Sequence, residues 1–315
     1  MIEVYRDVAG PCLAPAGSVA AVGAFDGLHC GHQALLARVR ERAARLGLMP
    51  VAISFEPLPR QYFSSTPVPR LSSVAEKLAG LAAAGIERVL LLRFNAALTA
   101  MSAEDFIARI LAERAGVREL WVGESFRFGH QRRGDTAMLE RLGPAHGLGT
   151  EVLAPVEIAA ERVSSSRIRQ MLAAGRFDEA CAPLGRRFSI AGHVAYGAQL
   201  GRSLGFPTAN IHLGRRVSPV QGIFAVRIGI NDGPCAWPGV ASLGTRPTVN
   251  GHEPLLEFHL FDFEGDLYGR RIAVEFVAKL RDEEKFANLD QLTAQMHQDA
   301  RDAREVLGMS PALAT

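Results

Sequence analysis

Two histidines that flank a cysteine and a glycine, His29 and His32, stand where an apolar strand turns into a helix. A helix N-terminus presents backbone N–H groups that bind phosphate, and Gly31 lets the backbone come close to such a ligand. The two imidazoles can then donate hydrogen bonds to a triphosphate while its negative charge shifts. The segment 24–32 therefore predicts a site that stabilises the transfer of a nucleotidyl group.

A second candidate phosphate site is the segment 163–169, where three serines precede two arginines. One interpretation is a plain helix cap. The other is a second phosphate clamp, in which Arg167 binds the leaving pyrophosphate. We favour the clamp because the segment occurs together with the segment 24–32, which we call the histidine turn.

Aromatic residues cluster in two predicted loops, 55–63 and 126–129, next to arginine and proline. Aromatic residues at strand ends are often part of the core. In loops, however, they can equally hold a flat ring by stacking. Both interpretations stay open on the sequence alone.

A second signature, at 201–210, is rich in glycine and ends in Pro-Thr-Ala-Asn. Thr208 and Asn210 offer hard oxygen ligands that suit Mg²⁺ bound to ATP. Further along, Glu257 alternates with apolar neighbours on a predicted strand. It is either a solvent-facing carboxylate or a general base acting on a substrate hydroxyl.

The first half of the chain alternates between strands and helices, which predicts a doubly wound parallel sheet with ligands beyond the carboxyl ends of its strands. The second half has short alternating runs between glycines and prolines, which predicts a small antiparallel β-barrel. A C-terminal helix follows, capped by Asn288. We expect a first domain over residues 1–183 and a second over 184–315. The predicted strands of the first half cover 18–25, 50–55, 89–94 and 119–123, and its helices cover 33–46, 74–84 and 103–115.

Composition excludes several classes of protein. The net charge of +2 over 315 residues gives no argument for binding nucleic acid or an anionic membrane. The N-terminus lacks the basic start and apolar core of a signal peptide, and no apolar stretch reaches the length of a membrane span. We expect a cytoplasmic protein, monomeric or weakly homo-oligomeric.

Taken together, these motifs resemble the bacterial bifunctional riboflavin kinase/FMN adenylyltransferases, also called FAD synthetases. The resemblance runs from about residue 19 to 307. It is carried by ordered segments that include GAFDGLHCGH, FEPLPRQYF, VSSSRIR, GRSLGFPTAN and LEFHLFDFEGDLYG.

The resemblance implies an α/β nucleotidyltransferase domain that makes FAD from FMN and ATP, and a barrel that makes FMN from riboflavin and ATP with Mg²⁺. The implied catalytic residues are His29, His32, Arg167 and Glu257, and the implied metal ligands are Thr208 and Asn210. The implied nucleotide contacts are Gly23, Phe25, Asp26, Gly27, Gly31, Ser164, Ser165, Gly201, Arg202, Gly205 and Pro207. The implied flavin contacts are Phe55, Pro57, Phe63, Ser125, Phe126, Phe128, Arg281, Glu284 and Phe286.

Three positions depart from the family pattern. Ser125 stands where an acidic or amide residue is usual, Ser166 replaces a threonine, and Ser242 replaces an asparagine. Ser125 is the largest change, because its hydroxyl reaches less far and carries no charge.

Two rival interpretations are a cytidylyl- or pantetheine-type nucleotidyltransferase with an unrelated barrel, and a flavin-binding or regulatory module that has lost catalysis.

Overall fold

The computed structural model describes residues 2–196, 206–214, 216–248 and 251–309. Contacts divide the chain into two compact units, Met1–Val68 with Ser72–Ser165 and Pro69–Leu71 with Ser166–Thr315. The segment 166–183, which the sequence analysis assigns to the first domain, is thus grouped with the second unit. The boundary between residues 183 and 184 stays a prediction.

A parallel sheet of six strands forms the centre of the first unit. The strands are β1 (Glu3–Arg6), β2 (Ser18–Val22), β3 (Met49–Glu56), β4 (Arg88–Arg93), β5 (Val117–Gly123) and β6 (Gly149–Leu153). Their spatial order is β1-β4-β3-β2-β5-β6. The chain thus passes from β2 to β3 and β4 on one side, and then crosses to β5 and β6 on the other side of β2.

Helices cover both faces of this sheet, and each face has its own apolar core cluster. Ala20 and Val22 of β2 belong to one cluster, whereas Val19 and Ala21 belong to the other. A strand covered on both faces is a continuous apolar run, as β2 is. The α-helices of the first unit are α1 (Cys30–Leu46), α2 (Pro59–Phe63), α3 (Val74–Ala83), α4 (Ala96–Ala100), α5 (Ala103–Asp105) and α6 (Thr136–Leu142).

Shorter elements complete the first unit. A hairpin of β7 (Glu157–Ile158) and β8 (Glu161–Arg162) follows β6, and 3₁₀ turns span His130–Arg132 and Gly143–His146. The segment predicted as one α-helix over 103–115 continues after α5 as a π-helix, Phe106–Arg114. Its last residue, Arg114, is buried and donates hydrogen bonds to backbone carbonyls of the N-terminal segment.

The second unit contains an antiparallel sheet of six strands in the order β10-β13-β12-β11-β14-β9. A bridge between Ala195 and Asn210 joins the two edges, so the sheet is a nearly closed barrel. The strands are β9 (Ser189–His193), β10 (Ala209–His212), β11 (Gly222–Ile230), β12 (Trp237–Thr248), β13 (Gly251–Leu260) and β14 (Arg271–Arg281). Its helices are α7 (Ser165–Ala173), which starts in the first unit, α8 (Phe177–Leu184) and α9 (Leu289–Val306).

The predicted fold class is confirmed: a parallel α/β sheet precedes an antiparallel barrel and a C-terminal helix. The helical spacing of Leu289, Ala303 and Leu307 in the sequence predicts an apolar stripe that packs in the core. This prediction is wrong at Leu289, which is 66% exposed, while Ala303 and Leu307 are buried. Among the helices of the described residues, none has the length and apolar character needed to cross a lipid bilayer.

Asn288 caps α9 as predicted, since its side chain accepts a hydrogen bond from the backbone N–H of Gln291 at 2.9 Å. We expect Asn288→Ala to lower the free energy of unfolding by about 1 kcal/mol, because one helical N–H loses its acceptor. Asn288→Asp keeps an acceptor and is the control. Denaturant unfolding followed by circular dichroism measures both, and equal midpoints for Asn288→Ala and the parent would contradict the capping role.

Candidate active sites

The turn between β2 and α1 has an unusual backbone. Phe25 and Leu28 adopt φ values of +48° and +42°, which L-residues rarely take, and Gly27 between them has φ +81°. Each such non-glycine residue costs about 1–3 kcal/mol. Phe25 is fully buried and Leu28 is 5% exposed, so burial of the two side chains compensates for the strain.

Hydrogen bonds fix the same turn from outside. The buried carboxylate of Asp26 accepts bonds from the backbone N–H of Ser72 at 3.0 Å and from its hydroxyl at 3.2 Å. The N–H of Gly27 donates to the Ser72 hydroxyl at 3.0 Å. Ser165 donates to the carbonyl of Asp26, also at 3.0 Å. Asp26 and Gly27, predicted as nucleotide contacts, thus shape the turn through Ser72, which sequence reasoning missed.

The two histidines form one stacked pair. His29 is the N-cap of α1, and its Nδ1 accepts a hydrogen bond from the backbone N–H of His32 at 3.3 Å. The ring centroids lie 3.7 Å apart with an interplanar angle of 15°, and Phe25 contacts His32 edge-on. A β-carbon at Gly31 would lie 3.2 Å from the His29 ring, so glycine is the residue that best fits there.

His32 is held in its neutral form. Burial lowers the pKa of His32 well below 6.5, and the neighbouring His29 and Lys77 lower it further. Among the described residues, the buried Nδ1 of His32 has no hydrogen-bond partner. A neutral imidazole carries one N–H group. His32 can therefore donate one hydrogen bond to a ligand without carrying a positive charge.

A cavity of about 430 Å³ opens beside this pair. It lies past the carboxyl ends of β2, β5 and β6, where the strand order reverses across β2, and this is the usual binding position in open α/β sheets.

Arg167 is not among its described lining residues; it is half-buried on α7 and belongs to the second unit. The predicted residues that line the cavity are Gly23, Phe25, His29, Gly31, His32, Ser125, Phe126, Ser164 and Ser165.

Arg162 also lines this cavity, and the sequence analysis did not single it out. It ends the β7–β8 hairpin, and its guanidinium donates to the hydroxyl of Ser125 at 2.7 Å. The residue that departs from the family pattern is therefore already engaged by a cation of the cavity wall.

The predicted flavin contacts of the first unit separate into three groups. Ser125 and Phe126 line the cavity, while Phe128 is buried in the core against Phe106. The others lie at the carboxyl ends of β3 and β4, on the opposite side of β2. There Phe55, Tyr62, Phe63 and Phe94 form an aromatic cluster with edge-on contacts, and Pro57 is exposed beside Phe55. The cavity lining includes no residue of this cluster.

The second unit brings three polar side chains into one row. Glu257 of β13 lies directly opposite Asn210 of β10 on one side and Ser242 of β12 on the other. Directly opposite residues point to the same face of a sheet, so the row presents a carboxylate, an amide and a hydroxyl together. Gly201, Arg202 and Gly205 lie outside the described residues.

Asn210 is a candidate ligand for a cation. It is 4% exposed, and its buried Oδ1 has no hydrogen-bond partner among the described residues. No cluster of three or more acidic, histidine or cysteine ligands occurs in the described part of the chain. A single amide oxygen near a threonine fits Mg²⁺, which keeps waters and substrate phosphates as its other ligands.

The segment 201–210 is anchored at Pro207 by a residue that the sequence analysis did not identify. His259 contacts the carbonyl of Pro207 through Nδ1 at 2.9 Å, and its ring packs against Phe206. Burial lowers the pKa of His259, so it stays neutral near pH 7. Thr208 follows directly and is half-buried.

The predicted flavin loop of the second unit is tied to α9. Arg281 makes a bidentate ion pair with the buried carboxylate of Asp299, with both N–O distances 2.7 Å. Its guanidinium also lies 5.7 Å from the ring centre of Phe286, whereas Glu284 is exposed. Arg281 therefore holds the loop in place, and contacts of these residues with flavin stay a prediction.

Two family models match the chain. One, described as FAD synthetase, matches residues 13–167, and the other, described as riboflavin kinase, matches residues 184–307. A crystal structure of a macrolide-efflux protein from Streptococcus pneumoniae has the same fold, with a TM-score of 0.76 at 30% identity, covering 95% of this chain and 97% of that chain.

Curated relatives match along almost the whole chain. The bifunctional riboflavin kinase/FMN adenylyltransferase of Pseudomonas fluorescens is 46% identical over 295 residues, and that of Escherichia coli K12 is 42% identical over 296. Each match covers 93% of this chain and 94% of the relative. The chain therefore belongs to the bifunctional riboflavin kinase/FMN adenylyltransferases, with the FAD synthetase region first and the riboflavin kinase region second.

Proposed function

We propose that the cavity of the first unit holds ATP and that the aromatic cluster around Phe63 holds the isoalloxazine ring of FMN. The observation that carries this proposal is the position of the histidine pair. It stands at the end of β2, with the cavity towards β5 and the aromatic cluster towards β3 and β4. A nucleotide donor and a flavin acceptor can then approach the histidines from opposite sides.

In the adenylylation step, the phosphate of FMN attacks the α-phosphorus of ATP and pyrophosphate leaves. The attacking phosphate is already ionised near pH 7, so the step needs no strong base. His29 and His32 donate hydrogen bonds to the phosphates, and α1 directs its N-terminus towards them. Ser164 and Ser165 complete the nucleotide site, and Arg167 stays a predicted contact of pyrophosphate.

In the kinase step, the terminal ribityl hydroxyl of riboflavin attacks the γ-phosphorus of ATP and ADP leaves. Glu257 accepts the proton of that hydroxyl, since it shares a face with Asn210. Asn210 and Thr208 would hold Mg²⁺. When bound, this ion would neutralise charge on the phosphates.

The remaining expectations extend this proposal. The two activities divide between domains over residues 1–183 and 184–315, and the enzyme works in the cytoplasm on small molecules, as a monomer or weak homo-oligomer that binds neither nucleic acid nor membrane. Incubating the protein with riboflavin, ATP and Mg²⁺ and separating the flavins over time tests the two chemical steps. FMN should appear first and FAD afterwards, whereas a lack of either product would contradict the corresponding assignment.

Replacing the histidines should affect only the second step. We expect His32→Ala, and separately His29→Ala, to slow FAD formation from FMN by about 10²–10³, because each removes one donor to the developing charge. Exposed His146 in the same unit provides the control, His146→Ala. FMN formation from riboflavin should stay unchanged in all three variants, and a loss of it would mean that the substitutions disturb the whole chain.

Replacing Glu257 should have the opposite effect. Glu257→Gln keeps the shape of the side chain but cannot accept a proton, so FMN formation should fall by about 10²–10⁴. FAD formation from added FMN should continue at the parent rate. Glu264→Gln changes an exposed carboxylate of the same unit and serves as the control. A rate close to the parent in Glu257→Gln would favour the solvent-facing interpretation of this carboxylate.

Two substitutions distinguish the nucleotide side from the flavin side. Ser125→Ala removes the acceptor of the Arg162 hydrogen bond in the cavity wall, so KM for ATP should change about two- to tenfold while KM for FMN does not.

Phe63, which is 69% exposed, can be changed to alanine with little effect on folding. Phe63→Ala should raise KM for FMN alone. The reverse pattern would place the flavin in the cavity.

A further inference from the structure

Lys77 is a buried lysine on α3 that neither the sequence motifs nor the proposed mechanism uses. Its side chain is fully buried. Lysine is almost never buried without partners, because removing its charge from water is expensive. A buried ammonium group behind a phosphate site therefore calls for a specific role.

The contacts of Lys77 converge on the carboxyl end of β3. Its Nζ donates to the hydroxyl of Ser54 and to the carbonyl of Phe55, both at 3.3 Å, and lies 3.8 Å from the carboxylate of Glu56. Ser54 is also buried and donates in turn to the carbonyl of Ala24 at 3.3 Å. Ala24 is the residue at which the histidine turn starts. Two hydrogen bonds thus connect the ammonium group to the backbone of that turn.

Lys77 also acts on the histidines through its charge. It is close enough to His32 to contribute to the lowering of that pKa, together with burial and His29. The cavity beside the pair is also lined by the charged side chains of Glu124 and Arg162, and the carboxylate of Glu56 lies 3.8 Å from the Lys77 ammonium group. Burial is the main reason that His32 stays neutral, and the cation of Lys77 adds to this effect while adding positive potential where phosphates would bind.

We propose that Lys77 is a positioning residue of adenylyl transfer, which ties the end of β3 to the histidine turn and places a fixed positive charge behind the two imidazoles. The inference rests on the proposed role of His29 and His32 in that reaction. It assigns no contact between Lys77 and substrate.

The test compares Lys77→Met, which keeps the length of the side chain but removes the charge, with Lys77→Arg in the full chain. In Lys77→Met, kcat for FAD formation from FMN should fall at least about tenfold, as for small displacements of catalytic groups. The acidic limb of its pH profile should move to higher pH, because without the cation the pKa of His32 rises towards 6.5. Lys77→Arg should recover part of the rate and the original limb. FMN formation by the second unit is the internal reference and should not change.

A control separates positioning from loss of stability. Ile110 is fully buried in the core cluster on the other face of the sheet, so Ile110→Ala destabilises the same unit without touching the turn. It should lower the melting temperature but leave the acidic limb in place. If Lys77→Met kept the parent kcat and pH profile, or merely matched Ile110→Ala, the inference would be wrong.

Two further outcomes concern the folding of Lys77→Met and the activity of the parent chain. If Lys77→Met does not fold, Ser54→Ala decides, because it removes the link to Ala24 and keeps the cation. A lower kcat with an unchanged acidic limb would then support the inference, and a parent-like kcat would contradict it. If the parent chain itself made no FAD from FMN, the proposed function would fail before the inference was tested.

Discussion

The histidine pair depends on the backbone conformation of five residues, Ala24 to Leu28. Two of them occupy the left-handed region without being glycine, and this conformation persists only because their side chains are buried and Ser72 holds Asp26. With the turn fixed, α1 must start at Cys30 with His29 as its cap, and the two rings stack. The geometry of the histidine pair is thus set by a strained turn, together with the contact of His32 with Phe25 inside that turn.

The order of the strands places the histidine pair between two different surfaces of the first unit. Since the order of the strands reverses at β2, the loops after β5 and β6 lie on one side of the turn and those after β3 and β4 on the other. The cavity belongs to the first side and the aromatic cluster to the second. A transfer reaction benefits from this separation, because donor and acceptor need not compete for the same wall.

Local patterns in the sequence predicted most of the fold. Buried apolar runs marked β2 to β5, Asn288 marked the start of α9, and the two histidines marked the turn between β2 and α1. The missed features depend on partners distant in the chain. Ser72 lies 46 residues from Asp26, and Ser165 bonds to Asp26 across 139 residues. Phe126 and Phe128 show the same limit: both are aromatic, two residues apart and stacked on each other, yet Phe126 reaches the cavity wall whereas Phe128 is buried against Phe106.

The row formed by Asn210, Glu257 and Ser242 has a consequence for how the kinase region can change over evolution. Successive residues of a strand point to opposite faces, so inserting or deleting one residue in β13 would turn Glu257 away from Asn210 and Ser242 at once. Length variation is therefore tolerable in the connections between these strands but not within them. The kinase region can drift in sequence and in loop size, while the spacing of residues inside its central strands stays fixed.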